Sequence, residues 1–91
     1  MARFSQKPIV IEAVRARHLI NDATNNWPGL PDWFRAAYEQ YDIFIRSDCI
    51  EIRTLEGRMT AAMDDWIIRG VQGELYPCKD GIFRATYDLV E

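Results

Sequence analysis

Histidine, cysteine and lysine are all scarce in this chain, at one, two and two residues of 91. A catalytic triad, a Cys-His pair or a zinc site would have to draw on His18, the single side chain whose ordinary pKa lies near neutrality. Neither Cys49 nor Cys78 is near it in sequence, and neither belongs to a CxxC pair, so the ligand spacing of a zinc or dithiol centre is missing. Small, buried free thiols in a reducing compartment are the expectation. Long apolar runs are missing too: nothing approaches the roughly 20 residues of a membrane span, and the opening MARFSQKPIVIEAV lacks a signal-peptide cleavage pattern. The expected location is the cytoplasm, with no membrane partner. Excess positive charge is also lacking. A net charge of −3 and a pI near 5.1 oppose general nucleic-acid binding, yet fall short of an acidic DNA mimic. No catalytic residue, cofactor or metal ligand is assigned.

What is present is an ordinary globular composition, 48% hydrophobic and 27% charged, in a length that allows one core. Residues 1–91 are read as a single small α+β domain. KPIVIEAV, with Pro8 at its start, predicts a first strand over Lys7 to Val14. Arg15 to Leu30, dense in Asn, Pro and Gly, predicts a loop with at most one helical turn around Leu19 to Ala23. Pro31 then opens a helix to about Gln40, with Trp33, Phe34, Ala37 and Tyr38 on one face.

From Tyr41 the period becomes two. Strands are predicted at Ile43–Arg46 and Cys49–Thr54, joined by Ser47 and Asp48, and Glu56 and Gly57 turn into a third. Trp66–Val71 and Glu74–Tyr76 flank a hairpin turn at Gln72 and Gly73; KDGIF reads as a turn or one short helical turn and ATYDLV as a last strand. The expected architecture is a mostly antiparallel sheet of five or six strands, a meander that could curl toward a barrel, with one main helix packed on it. Ile11, Trp33, Phe34, Ile52, Ile67 and Phe83 are its expected core.

Several features invite sharper readings than they carry. Asp64 and Asp65 could pair with Glu51 or Glu74 as an acid/base couple or a hard-metal site, but adjacent acids before a strand are ordinarily solvated turn residues. GVQG superficially looks like a phosphate loop, yet strands lie on both sides where such a loop would open a helix. The aromatics could stack bases, but a chain this short needs them for its core. Arg46, Arg53, Arg58 and Arg69 fall on or beside predicted strands, where scattered surface arginines are the plain reading.

The segment TLEGRMTAAMDDWIIRGVQGELYPCKDGIFRATY resembles a family of short phage and prophage proteins. Members begin with a KPxxxEA strand, matched here by Lys7, Pro8, Glu12 and Ala13, and end near TLEGxMxxxxGDWIIxGVxGExYPCKPDIFxxTY. That ending is matched by Thr54–Gly57, Met59, Asp65–Ile68, Gly70, Val71, Gly73, Glu74, Tyr76–Lys79, Ile82, Phe83, Thr86 and Tyr87. Asp64 replaces the usual Gly and KDGIF replaces KPDIF, which reshapes the turns there. The resemblance implies a phage or prophage origin; it does not imply a catalytic activity.

The resulting expectation is a non-enzymatic binding protein acting on a host protein, with a defence-system component as one such target. The contact surface is expected in the loop NDATNNWPGLP, at Trp27, Asn25, Asn26 and Leu30, because binding residues sit preferentially on loops held by a rigid scaffold and tryptophan is favoured at hot spots. The competing reading of Trp27 is a lid on the sheet. Alternatives for the whole protein are an accessory factor of phage assembly, through homo-oligomerisation at a sheet edge, and a small nucleotide-acting enzyme.

Overall fold

A computed structural model describes residues 2, 3 and 9–90. In chain order they form β1 (Glu12–Arg15), α1 (Ala16–Asn25), a 3₁₀ turn (Trp27–Gly29), α2 (Asp32–Glu39), β2 (Ile43–Ile45), β3 (Cys49–Thr54), β4 (Gly57–Ala62), β5 (Trp66–Arg69), β6 (Leu75–Cys78) and α3 (Asp80–Thr86). The α+β class stands. The single five- or six-stranded sheet does not: the strands form two three-stranded antiparallel sheets, ordered β1-β5-β6 and β2-β3-β4, with no closed barrel among the described residues. β6 packs against β3 and β4 without ladder bonds to either. Asp65 caps the end of β4, and Pro77 puts a nitrogen without hydrogen on the free edge of β6.

The meander follows from its alternation. Ile50 and Ile52 of β3 point into the core while Glu51 and Arg53 point out, opposite Phe44 and Arg58 on the flanking strands. Gly57 and Gly73 have φ of +111° and +84°, which the turn opening β4 and the β5–β6 hairpin require. In α2, Pro31 precedes the first turn, Asp32 complements the dipole, and Phe34 and Ala37 face inward. The helix ends in a Schellman motif: Asp42 N–H donates to Ala37 O at 2.9 Å and Tyr41 N–H to Tyr38 O at 3.1 Å. Tyr41 takes the left-handed position, φ +62°, where glycine is usual.

Three expectations are corrected. Arg15 to Leu30 is mainly helix, because Ala16, Leu19, Ile20 and Ala23 recur at the i, i+3, i+4, i+7 spacing that lays one apolar stripe on the core. KDGIF and ATYDLV form α3 up to Thr86, with residues 87–90 outside any strand; Asp80 and Arg84, one turn apart, support that helix by their ion pair. The first strand is shorter than expected, starting at Glu12, while Lys7 and Pro8 lie outside the described residues.

Ala16, Leu19, Leu30, Phe34, Ala37, Ile43, Ile50, Ile52, Ala61 and Ile67 make one core between the sheets and helices. Of the expected core, Phe34, Ile52 and Ile67 are fully buried, each isoleucine contributing about 1.5–3 kcal/mol. Ile11, Trp33 and Phe83 are only half-buried. Ile11 precedes the strand, Trp33 lines a cleft and Phe83 rides on a surface helix.

Candidate functional site

The loop expected to carry binding residues begins as the last turn of α1, closed by Asn26 N–H donating to Asp22 O at 2.8 Å. Asn25 and Asn26 are exposed, and Asn25 Nδ2 donates to Asn21 Oδ1 at 3.0 Å. Trp27 is half-buried, packed against the core and edge-on to Tyr38, with centroids 5.2 Å apart and planes at 75°. Leu30 is 3% exposed, so its side chain belongs to the core and not to a contact surface. The structure therefore gathers Asn25, Asn26 and the outer edge of Trp27 at one corner and removes Leu30 from it.

The two adjacent acids separate. Asp64 is exposed and ion-paired with Arg17, as a turn residue should be. Asp65 is 5% exposed, and its Oδ2 accepts from Ala62 N–H at 2.9 Å and from Lys79 Nζ at 3.0 Å, so its reading as a solvated turn residue is corrected. Glu51 turns to Arg46 and Arg58 instead of joining the aspartates. Among the described residues no group of three His, Cys, Asp or Glu side chains converges as metal ligands would.

A second polar centre, unanticipated in the sequence, surrounds Asp80. Its Oδ1 accepts from Arg15 Nη2 at 2.7 Å and from Trp66 Nε1 at 2.9 Å, and Arg84 Nε reaches both oxygens. The Arg15 guanidinium lies 4.8 Å from the Trp66 ring centroid, Phe83 stacks on Trp66 at 4.2 Å and 12°, and Tyr87 follows at 5.2 Å from Phe83. The Trp66 hydrogen bond, with Arg84 beside it, holds the Asp80 carboxyl below the usual range. This arrangement pins α3 to the sheet. Its signal was the Asp80–Arg84 spacing, visible only once the segment is read as helix.

The groups that chemistry could use are tuned away from neutrality. Burial pushes up the Cys49 thiol, with Asp48 adding to it, and the Cys78 thiol, with Asp65 adding. Thiols shifted upward are poor nucleophiles at neutral pH. Burial also pushes Tyr76 up to about 12. His18 is exposed on α1.

An open, largely apolar cleft of about 810 Å³ lies between α2, the β3–β4 hairpin and the β5–β6 hairpin. Trp33, Ile52, Leu55, Met59, Leu75 and Pro77 line it, and Arg53, Arg69, Glu56 and Glu74 stand around it. Leu55, at its lip, is wholly exposed, and Met59 is 39% exposed. Such a surface can take an apolar side chain while charges at the rim orient its owner. No protein-family model matches the chain, nor does any curated protein or solved structure. Among the described residues no helix is long and apolar enough to cross a membrane.

Proposed function

We propose that the chain is a small non-enzymatic binding protein, encoded by a phage or prophage, that acts on a host protein in the bacterial cytoplasm. The observation that carries this reading is the open cleft with Leu55 and Met59 presented to solvent beside a charged rim, the composition of an interface waiting for its other half. The phage-like ending of the sequence supports the origin, and the upward-shifted thiols favour binding over nucleophilic chemistry. Asn25, Asn26 and the rim of Trp27 form a second contact corner. A host defence component is the proposed target class.

The test uses the tagged full chain as bait in host lysate, beside a Leu55→Glu variant. Leu55 makes no core contribution, so the variant should fold as the parent does. A host protein retained in stoichiometric amount by the parent and lost by Leu55→Glu supports the reading. Equal capture by both, or co-purification with phage particles instead of a host protein, removes the cleft from the explanation, and the second outcome favours the assembly reading.

A further inference from the structure

In an antiparallel ladder, residues whose N–H and C=O bond the neighbouring strand alternate with residues whose groups face away. Arg53 N–H donates to Asp42 O at 2.8 Å and Arg46 N–H to Cys49 O at 2.9 Å, so Cys49, Glu51 and Arg53 serve β2. Ile50, Ile52 and Thr54 are left to bond β4, opposite Ala61, Met59 and Gly57. The backbone groups of Arg58, Thr60 and Ala62 therefore face outward. Ala62 is closed off, its N–H given to Asp65 Oδ2 at 2.9 Å and its oxygen taken by Asp65 N–H at 3.0 Å. Arg58 and Thr60 have no backbone partner among the described residues, and both are exposed.

Other edges are blunted in ways that this one is not. β6 carries Pro77 on its free side, and the edge strands β1 and β2 are only four and three residues long. β4 runs for six residues with its cap only at the far end. Its outward-facing side chains join a positive surface: Arg46, Arg53 and Arg58 stand around Glu51, which Arg46 and Arg58 already engage. That surplus lies on a chain of net charge −3. Its opposite face differs, because Met59 borders the apolar cleft.

We propose that the open edge of β4 accepts an extended segment of a partner protein in which acidic and apolar residues alternate, the acids meeting Arg58 and its neighbours and the apolar residues lying over Met59 and the cleft. This rests on the reading of the protein as a binding module and names the chemistry of the partner. Strand addition supplies affinity through the unused N–H and C=O groups of Arg58 and Thr60, and the alternation supplies specificity. A second copy of this chain is the poorer occupant, since pairing β4 with itself would crowd two like-charged Arg58 faces.

The probe is an acetylated, amidated octapeptide of alternating Glu and Val, with alternating Lys and Val as control. Amide exchange of the full chain is followed by NMR, beside Thr60→Pro, which deletes an outward N–H that β3 does not use, and Arg58→Glu, which keeps every backbone donor. The acidic probe should slow exchange at Arg58 and Thr60 by at least about tenfold, and Arg58→Glu should weaken its binding by about tenfold or more. Thr60→Pro should abolish binding; if that variant unfolds, Arg58→Glu alone decides. Equal binding of the lysine probe, protection confined to other strands, no protection at millimolar probe, or self-association protecting the same amides each overturns the proposal. A host protein captured equally by the parent and Thr60→Pro would refute the β4 edge and leave the binding reading standing. Probe binding at β4 with no host protein captured would do the reverse.

Discussion

Asp65 accepts the Ala62 amide proton at 2.9 Å from a position 5% exposed, so a single carboxylate both ends β4 and turns the chain into β5. Asp65→Ala should cost about 0.5–1.5 kcal/mol, because the part-buried hydrogen bond that caps the Ala62 N–H is lost. Lys79→Ala should cost under about 1 kcal/mol, since the lysine side chain is 70% exposed and its pair is screened. Urea denaturation of the two variants checks this. Equal losses would mean that the ion pair, not the amide cap, is what matters.

Asp80 makes stability depend on acidity in a defined direction. Its folded pKa is depressed by the Trp66 and Arg84 hydrogen bonds, so its stabilising contribution is complete above the unfolded aspartate value near ~4 and fades as pH falls through the lower folded value. Against Asp80→Asn, the parent should hold a Tm advantage at neutral pH that shrinks below about pH 4. A difference constant across the acid range would refute the assignment.

Trp27→Ala tests the corner once expected to be the contact loop. With Trp27 packed on the core and edge-on to Tyr38, the variant should lose about 2 kcal/mol, modest for a tryptophan because the ring is only half-buried. Asn25→Ala and Asn26→Ala should each stay within about 0.5 kcal/mol. Calorimetry separates these, and partner capture by the asparagine variants reports on the corner without a folding defect.

Tyr41 occupies a left-handed position while 70% exposed. Replacing it by Gly removes the Cβ conflict of the Schellman turn and should leave stability unchanged or raise it by up to about 1 kcal/mol, despite glycine's greater unfolded freedom. A loss above about 1 kcal/mol would show that the ring makes contacts worth more than its strain.

The sequence was most legible where short-range pattern and turn chemistry agree. Cys49–Thr54 and the helix after Pro31 lie where alternation and the proline place them, and Gly73 marks its hairpin. It misled where composition opposed periodicity. The Asn, Asp and Thr of α1 favour loops by propensity, yet Leu19, Ile20 and Ala23 gain enough from the core to override them. Thr86 and Tyr87 suggest a strand, but with Phe83 stacked on Trp66 the segment gains more as a helix. The division into two sheets depends on which distant edges meet, and no local pattern encodes that. Of the contact corner, exposure of Asn25 and Asn26 could be read from polarity; the burial of Leu30 could not.

The pairing of β1 with β5 sets a timetable for the chain. Glu12 and Arg15 must find Arg69 and Trp66, across more than half the sequence, whereas β2, β3 and β4 meet through tight turns. On the ribosome, the meander has all its strands as soon as Ala62 has emerged, but the earliest strand made must wait, unzipped, for nearly the latest. Loop-closure entropy makes that annealing the slow event of folding. Until it occurs, the nascent protein is a meander trailing an unmatched ribbon, and during that interval chaperones or wrong neighbours have their opening.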